Sequence, residues 1–122
     1  MFLDLSHTKL IAFQNSKILL LECYRITRYF PSNEKFAMTQ QIRRAALSIH
    51  LNLAEGASRR SDKERIRFFE ISRGSLVELD TAFDIAISLN YVTDKELHNL
   101  GELIIKTFKL LTGLIGRSDT PK

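Results

Sequence analysis

Residues 61–90 read SDKERIRFFEISRGSLVELDTAFDIAISLN, and this stretch decides the fold. Its opening, Ser61-Asp62-Lys63-Glu64, matches the S-x-x-E capping box, in which the Ser and Glu side chains each satisfy a backbone N–H left open at a helix start. Phe69, Ser72, Leu76, Leu79, Phe83 and Ala86 then recur at alternating spacings of three and four, the pattern of one buried helical face. A second set, Phe68, Ser75, Ala82 and Leu89, lies on a different face. The spacing predicts a helix over residues 62–89. It should end at Leu89-Asn90-Tyr91-Val92-Thr93-Asp94, where Thr93 or Asp94 can cap the next helix. Gly74-Ser75 in mid-helix costs about 1 kcal/mol relative to Ala, so close approach of a neighbouring helix is expected there.

Outward from this helix the same logic holds. Upstream, Ile42, Ala45, Ala46, Ile49 and Leu53 mark a helix over residues 36–55, with Gly56 read as its left-handed cap. Before it, Phe30-Pro31-Ser32-Asn33 forms a break, because proline disfavours helix at the preceding residue. A first helix over residues 8–29 precedes that break. It carries Ile11, Ile18 and Leu21 on one stripe and Phe13, Leu20 and Tyr24 on an adjoining one. Downstream, Leu97, Leu100, Ile104, Phe108, Leu111 and Ile115 mark a helix over 94–115, widened by Leu103, Leu110 and Leu114. The tail, residues 117–122, should fray. Four helices of about 30 Å joined by short connections predict an all-α, antiparallel up-down four-helix bundle in one domain, residues 1–122. Two helices look apolar over more than one core requires, which points to a partner surface and a homo-oligomer, or else to a wide monomer core.

The bulk properties agree. The chain has 122 residues, 44% of them hydrophobic, which fits one globular domain. Its single cysteine, Cys23, excludes an internal disulfide framework and fits a reducing compartment. Met1-Phe2-Leu3-Asp4 lacks the basic and apolar regions of a signal peptide, and Ile18-Leu19-Leu20-Leu21 is far too short to span a membrane. A soluble cytoplasmic protein with no membrane partner is the expectation.

The net charge of +4 has one source. Residues 43–73 hold eight basic side chains against four acidic ones, whereas the rest of the chain balances ten against ten. Seven of the eight are Arg, the side chain that forks onto phosphates and carboxylates and stacks on bases. The following segment, 75–90, carries Glu78, Asp80 and Asp84 and no Lys or Arg. A helix basic early and acidic late opposes its own dipole, so something outside the helix selects this order. A neighbouring subunit or a polyanion could do so. Solvated internal pairs such as Arg60–Glu64 and Glu70–Arg73 are the plain alternative.

No catalytic constellation is visible. His7, His50 and His98 stand alone, without metal-ligand spacing, and Cys23 reads as a small buried side chain. Asp80 and Asp84, one helical turn apart, leave a metal-dependent enzyme as a remote third reading. No phosphate-binding glycine loop is present. The expectation is a protein that is not an enzyme and carries no cofactor or metal.

Gln41-Ile42-Arg43-Arg44-Ala45-Ala46-Leu47-Ser48-Ile49 followed by Asn52-Leu53-Ala54-Glu55-Gly56 resembles a signature of the form Q-I/L-R-R-A-x-x-S-I-x-x-N-I-A-E-G. Arg59-Arg60-Ser61, Glu64, Phe68-Phe69, Ile71 and Arg73-Gly74-Ser75-Leu76-Val77-Glu78-Leu79-Asp80-Thr81 resemble its continuation. Both belong to the four-helix bundle protein family, also called the 23S rRNA intervening sequence proteins, some of which are encoded inside insertions in 23S rRNA genes. The resemblance covers nearly the whole chain. Departures are His50 where Pro is common, Asp80 for Glu, and Asn90-Tyr91-Val92 for Gly-Tyr-Ile. The resemblance implies up-down bundles assembled as ring-shaped homopentamers, with no enzymatic activity. A related branch, the accessory variability protein of diversity-generating retroelements, is a basic pentameric barrel that binds the element's reverse transcriptase.

Two functional expectations follow. In the first, a non-enzymatic homo-oligomer binds RNA or a ribonucleoprotein, a reverse-transcriptase-like protein included, through a basic surface of Arg43, Arg44, Arg59, Arg60, Lys63 and Arg67. In the second, a structural or adaptor oligomer uses Arg43, Arg44, Arg73, Glu78 and Asp80 in ion pairs between helices two and three or between subunits.

Overall fold

A computed structural model describes residues 1–119. Four helices, α1 (Ile11–Thr27), α2 (Met38–Ser58), α3 (Asp62–Ser88) and α4 (His98–Asp119), contain most of them, and no strand occurs among the described residues. Short 3-10 turns at Ser6–Lys9 and Ser32–Glu34 precede α1 and α2. The first of these takes Thr8, where the first helix was expected to begin, so α1 starts at Ile11, and a turn over residues 35–37 after the second delays α2 from Phe36 to Met38. In the first turn the Thr8 hydroxyl donates to the Leu5 carbonyl at 2.7 Å.

The helix ends show which local chemistry acts. At the start of α3 the Glu64 N–H donates to Ser61 Oγ at 3.1 Å. Its end is a Schellman closure. Asn90 takes φ 63°, Tyr91 N–H reaches the Ala86 carbonyl at 3.0 Å, and Asn90 N–H reaches Ile87 at 2.9 Å. Asn tolerates this left-handed conformation better than other non-Gly residues because its short polar side chain bonds locally. Next, Thr93 and Glu96 form a complete capping box. Thr93 N–H donates to Glu96 Oε1 at 3.0 Å, and Glu96 N–H donates to Thr93 Oγ1 at 3.2 Å. This box organises a turn over residues 94–97 before α4 itself begins at His98, four residues later than the spacing suggested. The helix then runs through Arg117 and Ser118 to Asp119, where a frayed tail was expected; residues 120–122 lie outside the described ones.

Each helix packs on two others: α1 on α2 and α4, and α3 on α2 and α4. Side-chain rungs give antiparallel registers. Ser16 meets His50 and Thr27 meets Arg43 across α1–α2. Ser72 Oγ donates to the Ile49 carbonyl at 2.7 Å, and Ser48 meets Ser75 at 2.8 Å, across α2–α3. Arg73 meets Thr112 across α3–α4. The α2–α3 seam is tight at Gly56. A Cβ on Gly56 would lie 2.8 Å from two ring carbons of Phe69 and 3.1 Å from Phe68 Cβ. Gly56 therefore sits inside α2 as a contact point, not as the left-handed cap read from sequence. Gly74 reverses the other expectation, since a Cβ there would meet nothing within 4 Å.

Ile42, Ala45, Ala46, Ile49 and Leu53 of α2 are buried with Phe69, Leu76, Leu79 and Phe83 of α3. On α1 the core stripe is Ala12, Leu19, Cys23 and Ile26, whereas Ile11, Ile18 and Leu21 are 58%, 52% and 59% exposed. The buried stripe was hard to recognise because Ser16 and Thr27 lie within it. Both hydroxyls are satisfied by carbonyls of their own helix, Phe13 at 2.9 Å and Cys23 at 2.7 Å, so their burial costs little. Thr107 does the same on α4, donating to Leu103 at 2.7 Å and lying fully buried, while Phe108 is partly exposed.

Candidate functional site

The basic segment reaches from α2 through the three-residue connection 59–61 into α3, and the helices divide it. Arg59 sits at the connection. Its Nη2 pairs with Glu55 Oε2 at 2.8 Å, and its guanidinium lies 5.0 Å from the Phe68 ring centroid. Lys63 and Arg67 follow on α3, four residues apart and so on one face of that helix, and Arg60 lies in the connection just before it, at the same end of the bundle. All three are exposed, and none forms an ion pair among the described residues. The expected Arg60–Glu64 and Glu70–Arg73 pairs do not form. Arg73 instead lies over Phe108, 5.7 Å from the centroid, and donates to Thr112 Oγ1 at 3.2 Å.

Arg43 and Arg44 do not join this group. Sixteen residues of helix separate Arg43 from Arg59, about 24 Å at 1.5 Å per residue. Arg43 is held inside the chain: its Nε donates to Thr27 Oγ1 at 2.9 Å, and its guanidinium covers the Tyr24 ring at 4.6 Å. Arg44 is exposed. The six-residue basic surface read from sequence is therefore a compact group of Arg59, Arg60, Lys63 and Arg67 at one end, with Arg43 and Arg44 near the other.

The ladder expected between helices two and three is also absent within the chain. Arg44, Glu78 and Asp80 are exposed and form no ion pair among the described residues. Antiparallel register explains their level: Ser48 opposite Ser75 carries Arg43 and Arg44 to the height of residues 79 and 80, but Arg43 turns to α1 and Arg44 outward.

One cluster escaped the sequence reading because its members are far apart in the chain. His7 and His50 flank Phe13, with ring centroids at 5.0 Å edge-on and 4.2 Å stacked. His50 Nδ1 lies 2.6 Å from Ser16 Oγ. The Ser16 hydroxyl has one proton, and its bond to the Phe13 carbonyl requires His50 to donate from Nδ1. Ser16 is 1% exposed, so the pair is a packed polar contact between α1 and α2. Burial first, then the charges of Lys17 and His7, lowers the His50 pKa below its ordinary 6.5. Burial likewise pushes the Cys23 thiol up to about 12, with the Glu22 charge adding to the effect. Among the described residues no group of three or more His, Cys, Asp or Glu is placed to hold a metal.

The remaining feature is apolar. Leu21 on α1, Leu47 and Leu51 on α2, Val77 on α3, and Ile105 and Phe108 on α4 are all exposed. No helix among the described residues is long and apolar enough to cross a membrane.

Comparison with known proteins agrees with this architecture. No curated protein matches the chain. A crystal structure of a protein of unknown function from the S23 ribosomal protein family of Bacteroides thetaiotaomicron VPI-5482 superposes with a TM-score of 0.80 at 20% identity. The superposition covers 87% of this chain and 96% of that one, and it shows a shared fold. Residues 8–113 match the family described as 23S rRNA-intervening sequence protein, and the chain belongs to that family.

Proposed function

We propose that the protein is a non-enzymatic homo-oligomer, a ring-shaped pentamer as the family resemblance implies, that binds RNA or a ribonucleoprotein through its basic end. The observation that carries this reading is the group Arg60, Lys63 and Arg67, exposed at one end of the bundle, without ion pairs among the described residues, and beside an Arg59 stacked on Phe68. Unpaired cations are free to release phosphate counterions on binding, and an Arg–aromatic pair offers a surface for a base. A reverse-transcriptase-like partner belongs to this reading, by analogy with the retroelement branch.

The test is a titration of single-stranded RNA against salt. Three to four phosphate contacts predict a log–log slope of about −2 to −3. Absence of RNA and DNA binding at low salt, or binding that ignores salt, contradicts the reading.

A second reading has its own observation. Arg44, Glu78 and Asp80 lack partners in their own chain, as side chains used between subunits would in an isolated copy. In that case the protein is a structural or adaptor oligomer without a nucleic-acid ligand.

A further inference from the structure

We infer that the α1–α2 face of one copy docks on the α3–α4 face of the next, head to tail, with all bundle axes pointing the same way. This inference rests on the homo-oligomeric reading above and adds the two surfaces that make the contact.

The first surface is apolar at Leu21 of α1 and at Leu47 and Leu51 of α2. The Ser16–His50 and Tyr24–Arg43 rungs bring Leu21 level with Leu47. Leu21 is 59% exposed, more than an isolated core-facing helix needs. Arg25 and Arg28 continue the Leu21 stripe at spacings of four and seven, and Arg44 precedes Leu47 by three. Glu22 and Arg25 are bonded to each other, which leaves Arg28 and Arg44 as the cations this face offers. This face is basic toward the end where α1 finishes and α2 starts.

The second surface is apolar at Val77, Ile105 and Phe108. They line a groove of about 310 Å³ between α3 and α4 that also includes Gly101, where a Cβ would meet nothing within 4 Å. Asp80 also lines this groove, and it lines with Asp84 and Asp94 an adjoining one of about 270 Å³ nearer the turn into α4. These acids stand where α3 finishes and α4 starts. The cations of this face, Arg73 and Lys109, lie toward the opposite end, and Arg73 is folded onto Phe108.

The antiparallel topology makes the geometry specific. The end of α1, the start of α2, the end of α3 and the start of α4 all lie at one end of the bundle. The two faces are on opposite sides, because α1 does not pack on α3, nor α2 on α4. A second copy shifted sideways without inversion therefore sets Arg28 and Arg44 against Asp80, Asp84 and Asp94 at the same height, with apolar side chains between. A two-fold pairing covers one surface twice and leaves the other in water. Repetition of an unlike-to-unlike contact closes into a ring when its rotation divides the circle. Because every copy points the same way, the Arg59–Arg67 ends gather on one face of that ring, where several weak contacts act together on a single polyanion.

The test uses Leu21→Asp and Ile105→Asp. Both residues are exposed, at 59% and 57%, so both variants should fold, which circular dichroism checks. Sedimentation of the wild type should show an oligomer and of each variant alone a monomer. An equimolar mixture should show a species of twice the monomer mass, since the intact α3–α4 face of one variant meets the intact α1–α2 face of the other. If the wild type is oligomeric but either variant stays assembled, or the mixture stays monomeric at concentrations that assemble the wild type, this pairing is overturned and the oligomer reading stands. A monomeric wild type overturns both.

Discussion

Gly56 and Gly74 show how little a residue type says without its surroundings. Gly56 was read as a left-handed cap and Gly74 as a point of close helix approach, yet Gly56 has no positive φ and a Cβ on Gly74 would meet nothing within 4 Å. Gly56 faces the ring of Phe69, which is 1% exposed. Gly56→Ala should therefore destabilise by about 1–3 kcal/mol through overpacking. Gly74 faces open space, so Gly74→Ala should stabilise the isolated bundle by up to about 1 kcal/mol through helix propensity. Urea unfolding of both variants measures the contrast, and effects of the same sign would contradict it. The periodicity that located α2 and α3 carries no information on which glycine meets an aromatic ring.

His50 is a second case at this scale. Its folded pKa is lowered, so the folded state binds fewer protons than the unfolded chain as pH falls below about 6.5. Stability conferred by neutral His50 is complete above that value and is lost progressively toward the folded pKa. The melting temperature should fall from pH 7.5 to pH 5, and His50→Gln should flatten that part of the profile. An unchanged slope in the variant would show that other groups cause it. The His7–Phe13–His50 arrangement joins residues 7, 13 and 50 from three elements, and spacing within a helix could not have revealed it.

At the scale of the element, the ends of the helices were legible where side-chain chemistry is local. Ser61 caps α3, and Pro31 lies between α1 and α2, as their residue types imply. Thr93 was a visible candidate, and Glu96 three residues on completes its box. Thr93→Ala removes a side chain that both caps and is capped, and should cost about 0.5–2 kcal/mol in an unfolding titration. A cost near zero would mean that packing of Leu97 and Leu100 alone holds this turn. Faces were less legible than ends. On α1 the two stripes read from the sequence were Ile11, Ile18 and Leu21 and, adjoining, Phe13, Leu20 and Tyr24, but the helix buries Phe13 together with the stripe containing Ser16 and Thr27. Hydroxyls that bond their own helix pass as apolar, and a hydropathy pattern scores them as polar.

At the scale of the molecule, the fold class followed from four helical patterns and short connections, and the shared fold with the Bacteroides protein agrees with it. The charge excess was legible as a segment, but its shape was not. Residues 43–73 are continuous in sequence, yet α2 is long enough to put Arg43 and Arg59 about 24 Å apart. What remains is a small cationic group at one end and charges of opposite sign on two sides of the other. The proposed association of copies rests on the second feature, and the proposed RNA binding rests on the first.

The most direct test of the central claim compares RNA affinity at low salt for the wild type, the triple variant Arg60→Ala/Lys63→Ala/Arg67→Ala, and Arg44→Ala, all at matched oligomeric state. The account predicts that the triple variant loses most of its affinity and reduces the salt slope by about 2, while Arg44→Ala, if its assembly is maintained by concentration, binds as the wild type does. Equal affinity and slope for the wild type and the triple variant would contradict it.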